Sequence, residues 1–268
     1  MGIKAPLIFG DAALAEVVEK ASADDDAAYA LAMRELSPHE GFEVHEFAGG
    51  SSSFVGRSPF TNTHGFGTNP KVHTEAVLKD IESFFAKHSI PSMLSVASTA
   101  DAPIWRLLGD YRIIATRNVY AYDSSIPFEI SSGLDICEVT NKEQLAHWLK
   151  AVSDGFAEKE LSEPDAISLG QSIKKGNRFF VGYLDGNPVS ASCLYVQGDF
   201  ARLGGMATLP AYRGQGFQTA MVKQRLDLAL KLGCNIITSD TQPGNNSQRN
   251  LERSGFRLIY VRNILRKD

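Results

Sequence analysis

The triplet Asp185-Gly186-Asn187, set between RFFVGYL and PVSASCLYV, constrains this chain more than any other stretch. Asp-Gly supplies the left-handed backbone of a tight hairpin, and the flanking runs are rich in aromatic and β-branched residues. Two antiparallel strands therefore stand inside the second half, and its other segments must be arranged around them.

LDICEV (134–139) reads as a short strand, and NKEQLAHWLKAVSDGFAEK (141–159) as a helix with Leu145, Trp148, Leu149 and Val152 at helical spacing. SEPDAISLGQSIKKG (162–176) reads as a helix opened by a serine cap and closed at Gly176. After the hairpin, DFARLGGMATL forms a third strand, and a helix runs on to Leu232 and stops at Gly233. NIITSD (235–240) is a strand, SQRNLERSG (247–255) a short helix, and FRLIYVRNIL (256–265) a closing strand. The order is β-α-α-β-β-β-α-β-α-β, a mixed α/β domain.

The first half is less regular. A helix is predicted around residues 24–36, then strands in EVHEFAGG and SSSFVG and a polar loop, PFTNTHGFGTNP (59–70). An amphipathic helix (72–89), a strand (PSMLSVAST), a short helix (APIWRLLGD) and a strand (YRIIATRNVYAY) follow. The segment 122–133, rich in Ser, Pro and Gly, marks the boundary, giving domains at 1–130 and 131–268. YRIIATRNVY aligns with FRLIYVRNIL through Arg112/Arg257, Ile114/Ile259, Arg117/Arg262 and Asn118/Asn263, and in both halves this strand closes a helix-strand-helix order. The two halves are therefore read as a duplicated architecture.

Composition excludes several classes. With 268 residues, 43% apolar and 22% charged, the chain is that of a globular protein able to bury one large or two modest cores. Cys137, Cys193 and Cys234 lie far apart in apolar runs, as expected of buried reduced thiols and not of a disulfide framework or zinc site. The six histidines show no metal spacing, and no metal is expected. No segment is apolar for the ~18 residues that a spanning helix requires, and the N-terminal run is a poor leader, so a cytoplasmic protein without membrane partners is expected. The net charge of −4 divides into −7 over residues 1–130 and +3 over the remainder, which argues against nucleic acid as a partner.

The stretch LPAYRGQGFQTAM (209–221) carries the chemistry. It begins no Rossmann motif, because the third glycine position is Thr219, and it contains no Gly-Lys-Ser/Thr of a P-loop. On these residues alone it is either a tight strand-to-helix turn or an anion cradle. In the second reading, first-turn N–H groups with no helical acceptor and a positive dipole end would meet a phosphate.

Arg213-Gly214-Gln215-Gly216-Phe217-Gln218 resembles the Q/R-x-x-G-x-G/A signature of the GNAT superfamily of N-acetyltransferases. Met206 to Pro210 is similar to the family's strand-then-proline lead-in, and NNSQRNLERSGF (245–256) to its later segment ending in Gly-Phe. The resemblance covers residues 134–268 and implies two GNAT-like acyl-CoA N-acyltransferase modules, each a mixed, mostly antiparallel sheet flanked by helices. The first lacks the signature, has lost cofactor binding and lines the acceptor cleft. It implies acetyl-CoA as cosubstrate, with Met206, Ala207 and Thr208 pairing with pantetheine. Arg213, Gly214, Gln215, Gly216, Phe217, Gln218 and Thr219 would surround the pyrophosphate, with Asn246 and Ser247 nearby. A small-molecule or peptide amine would attack the thioester directly, the protein acting as a monomer or homodimer.

Three positions depart from the pattern. Gln218 replaces the usual Gly or Ala and is expected to pack, or else to donate sideways to a phosphate. Leu251 stands where the family often places its tyrosine acid, and Arg202 where some members carry a carboxylate. Substitutes for the missing groups are Asn250, Ser247 and Asp240 as catalytic candidates, with Tyr195 and Glu138 behind them. His64 is expected to be a solvated loop residue, with a part in the acceptor site as the alternative reading. A catalytically inactive acyl-CoA-binding or regulatory protein is the competing function.

Overall fold

The computed structural model describes residues 9–130, 133–157 and 160–268. The first eight residues, part of the N-terminal run read as a poor leader, lie outside them, as do positions 131–132 of the boundary segment and the last two residues of the predicted 141–159 helix. The chain divides into two compact units. One holds Tyr120–Asp240 and Gly244–Arg257, the other Phe9–Val119, Thr241–Pro243 and Leu258–Asp268.

In the first-half unit, α1 (Ala12–Leu36) starts at Asp11, whose carboxylate accepts from the Leu14 N–H at 2.8 Å. The helix begins twelve residues before the acidic-capped segment predicted at 24–36. The reason is that Glu19, Ser22, Asp25 and Asp26 point inward, so its buried face is partly polar and the 3.6-residue apolar period is lost. β1 (Glu43–Phe47), β2 (Gly50–Phe54) and β3 (Asn62–His64) form an antiparallel sheet. α2 (Glu75–Lys87), β4 (Ser92–Ala97), α3 (Ala102–Leu107) and β5 (Arg112–Tyr122) follow. Ile81, Phe85, Leu94, Val96 and Ile104 build this unit's main apolar core.

His64 is not a solvated loop residue. It is buried on β3, with Nδ1 3.1 Å from Glu19 Oε2 and Nε2 3.3 Å from Asp26 Oδ2. Glu19 Oε1 also accepts from Tyr260 Oη at 2.6 Å and Arg262 Nε at 2.8 Å. Polar loop composition could not reveal partners supplied by residues 45 and 38 positions away in the chain.

In the second half of the chain, β6 (Asp135–Glu138), α4 (Lys142–Ala157), α5 (Ala166–Ile173), β7 (Asn177–Leu184), β8 (Asn187–Gln197) and β9 (Phe200–Thr208) are followed by α6 (Phe217–Lys231), β10 (Ile236–Thr241), α7 (Asn246–Arg253) and β11 (Phe256–Lys267). The hairpin at Asp185 and Gly186 is present, both residues having positive φ. The cap of α5 is Asp165, which accepts from the Ser168 N–H, and not the expected serine. The sheet order is β10-β9-β8-β7-β6, antiparallel except for the β10–β9 pair. α6 packs Met221, Val222 and Leu226 against Phe180, Leu194, Ala201 and Leu203 on one face, and α4 packs Trp148, Ala151 and Val152 against Val181, Ala191 and Ala207 on the other.

Both halves contain helix-strand-helix-strand: α2-β4-α3-β5 and α6-β10-α7-β11. The last strand of each is shared out. Tyr120 and Tyr122 at the end of β5 join the second-half unit's core, while Arg262–Lys267 of β11 pair antiparallel with Ala97–Ser92 of β4 in the first-half unit. The compact division therefore assigns residues 258–268 to the first-half unit, where sequence composition placed them in the second domain.

Candidate acyl-donor site

β9 is paired along its length by β8, but β10 opposes it only at Phe200, Ala201 and Arg202. Beyond that point Ser239 Oγ donates to the Leu203 carbonyl at 3.0 Å, and β9 continues to Thr208 with no β10 residue in register. A β-bulge falls within this stretch. Ala191 opposes Ala207 and Cys193 opposes Gly204, so Ser192 faces two residues, Gly205 and Met206. Gly205 sits at φ 49°, and a Cβ there would lie 2.9 Å from Cys193 Sγ. β9 is also approached closely by α4, where a Cβ on Gly155 would lie 2.6 Å from the Ala207 Cβ.

The strand leads into a turn. Leu209 N–H donates to Val189 O at 3.0 Å, Pro210–Tyr212 make a short 3₁₀ turn, and Arg213 N–H donates to Pro210 O at 3.3 Å. Gly214 and Gly216 both have φ 81°, and a Cβ on either would meet nothing within 4 Å. Backbone conformation, not crowding, demands these glycines, and the space over them is open to a ligand. Residues 213–216 are exposed, while Phe217 is buried and anchors the start of α6. Gly216 caps that helix with no side chain, and the first helical bond is Ala220 N–H to Gly216 O. The N–H groups of Phe217, Gln218 and Thr219 therefore have no intrahelical acceptor and form the positive end of the helix dipole. This is the geometry of an anion cradle.

Arg213 folds back onto protein. Its Nε donates to the Thr208 carbonyl at 3.1 Å and its Nη2 to the Gly155 carbonyl at 2.9 Å, tying the turn to the ends of β9 and α4.

Gln218 has a specific role. Its Nε2 donates to Ser247 Oγ at 2.8 Å, and its Oε1 accepts from Asn250 Nδ2. Two catalytic candidates are thus joined by the residue that departs from the signature. Since Ser247 Oγ accepts from Gln218, its own hydrogen is left for a further acceptor. Asn245 caps α7 through Gln248 N–H at 2.9 Å, and Asn246 is exposed at the first turn.

The other candidates are differently placed. Asp240 accepts from Arg202 Nη2 at 3.0 Å, so the residue in the family's carboxylate position engages the substitute base. Glu138 pairs bidentately with Arg178, both bonds being 2.7 Å. Tyr195 is buried beneath the Lys174 ammonium, 4.9 Å from its ring centroid. Leu251 is buried among Tyr120, Val222 and Phe256. Cys193 and Cys234 are buried and Cys137 half-buried, all three free, and among the described residues no group of His, Cys, Asp or Glu is placed to hold a metal ion. No described helix is long and apolar enough to cross a membrane.

Sequence reasoning passed over Arg225. It lies on α6, is wholly buried, and donates from Nη1 to the carbonyls of Cys193 (2.8 Å) and Gly204 (3.0 Å). Its place in a helix of ordinary charged composition carries no signal of burial. The signal that could have found it is its position four residues after Met221, on the apolar face of α6.

In this domain a strand parts from its parallel neighbour and leads into a glycine cradle at a helix N-terminus. Residues 143–256 match the acetyltransferase (GNAT) family. Solved structures share the mixed α/β fold over nearly the whole chain. A GCN5-related N-acetyltransferase from Kribbella flavida is 14% identical with a TM-score of 0.62, covering 90% of this chain and 95% of its own. A GCN5-related N-acetyltransferase from Sphaerobacter thermophilus is 13% identical at TM-score 0.58, covering 94% and 93%. A tandem GNAT protein from the clavulanic acid biosynthesis pathway is 12% identical at TM-score 0.59, covering 91% and 94%. No curated protein matches the sequence.

Proposed function

We propose that this protein is an N-acetyltransferase that moves the acetyl group of acetyl-CoA to an amine of a small molecule or peptide. The observation that carries the reading is the pair of left-handed glycines, open to solvent, at the head of α6 and one short turn after the end of β9 that β10 leaves unpaired. The free N–H groups of residues 214–219 suit a pyrophosphate, and the backbone of Met206, Ala207 and Thr208 suits the amide groups of pantetheine. Arg213 supports the cradle by bracing it against β9 and α4. The first half, without such a cradle, contributes no second cofactor site, and we retain it as a degenerate GNAT-like module.

Direct attack by an amine requires positioning, loss of a proton from the amine and a proton for the departing thiolate. Ser247, oriented by Gln218, supplies the hydroxyl donor, with Asn250 and the exposed Asn246 beside it on α7. Asp240 is the nearby carboxylate, held by Arg202, for the amine proton.

The burial of Leu251 favours a second reading, an acyl-CoA-binding protein without catalysis. Calorimetry with acetyl-CoA, followed by thiol release across an amine panel, separates the two. Binding with amine-dependent release supports the enzyme, binding without release over a broad panel supports the second reading, and no binding overturns both.

A further inference from the structure

Arg225 is wholly buried, and among the described residues no carboxylate pairs with it. Burial lowers its pKa to about 10, so the guanidinium remains charged at neutral pH. A buried cation costs several kcal/mol unless its hydrogens are satisfied, and a methionine or leucine would fill the same space without that cost. What the guanidinium holds is specific. Nε donates to Met221 O on its own helix at 3.0 Å, Nη1 bridges Cys193 O and Gly204 O, and Nη2 lies 2.9 Å from Met206 Sδ. Cys193 and Gly204 are the last opposed pair before the bulge, and Met206 is one of the two bulged residues. One side chain therefore fastens both strands at the start of the bulge and grips the residue within it.

We infer that Arg225 is a positioning residue for the acyl donor, clamping the β8–β9 bulge so that the backbone of residues 206–208 is presented to pantetheine. The inference rests on the acetyl-CoA reading above. Arg225 acts through the strand and not by touching the reacting atoms. The bulge interrupts the β8 ladder at Gly205 and Met206, and β10 pairs with no residue of β9 past Arg202.

Calorimetry with acetyl-CoA and with ADP, which offers the pyrophosphate but no pantetheine, tests it. Wild type should bind both. In Arg225→Met, acetyl-CoA should weaken by about tenfold, the worth of roughly one charge-assisted hydrogen bond, while ADP stays within about twofold. Amide exchange in the free variant should accelerate selectively in a peptide covering 203–208. Equal weakening of both ligands, or no weakening of either, overturns the inference while leaving the acetyl-CoA reading intact. Failure of wild type to bind acetyl-CoA overturns both. Should Arg225→Met not fold, Arg225→Lys keeps the cation but cannot span both carbonyls, and the same selective loss is expected. If neither folds, the residue determines stability and not position, and the inference fails.

Discussion

Gln218 at the start of α6 donates to Ser247 on α7 across 2.8 Å, and the same amide receives Asn250. The departure from the glycine signature thus links the proposed phosphate cradle to the proposed catalytic groups. Gln218→Ala should lower kcat for acetyl transfer by about tenfold, through loss of orientation at Ser247, with KM for acetyl-CoA within about twofold. Gln218→Glu should match it, because a carboxylate would accept the serine hydrogen and withdraw the donor. Steady-state kinetics on purified variants checks both.

Gly216 holds φ 81° with open space over its α-carbon, so alanine there is opposed by backbone strain alone. Gly216→Ala should cost about 1–2 kcal/mol and lower Tm by a few degrees. It should also weaken acetyl-CoA binding, because relaxing the strain turns the first-turn N–H groups away. Thermal unfolding with and without the cosubstrate measures the two effects separately.

Burial alone would raise the Glu19 carboxyl, but Arg262, His64 and Tyr260 outweigh it and bring the pKa down from 4.5 to about 2. Its contribution, on the order of 3 kcal/mol, is complete above about pH 4.5 and is lost as pH falls toward 2. For His64, burial and Arg262 oppose protonation, yet Asp26 and Glu19 prevail and the pKa rises above 6.5. Its contribution is complete below pH 6.5 and fades as pH climbs through the raised value. Urea unfolding of the intact chain should therefore give greatest stability between about pH 4.5 and 6.5 from these two groups. Glu19→Gln should cost about 3–5 kcal/mol at pH 6 by stranding a buried cation, and should remove the acid limb.

Leu251 is 1% exposed within the core beneath α6. Restoring the family's residue with Leu251→Tyr should therefore bury an unpaired hydroxyl and overfill the core, costing about 1–3 kcal/mol without raising kcat. Chemical denaturation beside a thiol-release assay distinguishes this from a rescued acid.

The hairpin, the strand-to-helix order of the second half and the glycines of the cradle were legible because each is a local requirement. Asp185 and Gly186 adopt positive φ in a two-strand turn, and Gly214 and Gly216 do so before a helix. The first half was less legible. α1 buries acids against Arg262, Tyr260 and His64, and its apolar period is broken by partners that no nearby residue announces.

The sequence by itself determined the elements of the second half and the glycine turn before α6, since periodicity and left-handed glycines are properties of short segments. Only the tertiary structure decided that Gln218 serves Ser247 and Asn250, that Arg213 braces instead of reaching outward, that Asp240 belongs to Arg202, and that Arg225 lies buried on the bulge. Each depends on which side chain a second element brings within hydrogen-bonding distance, and that is set by packing across the fold.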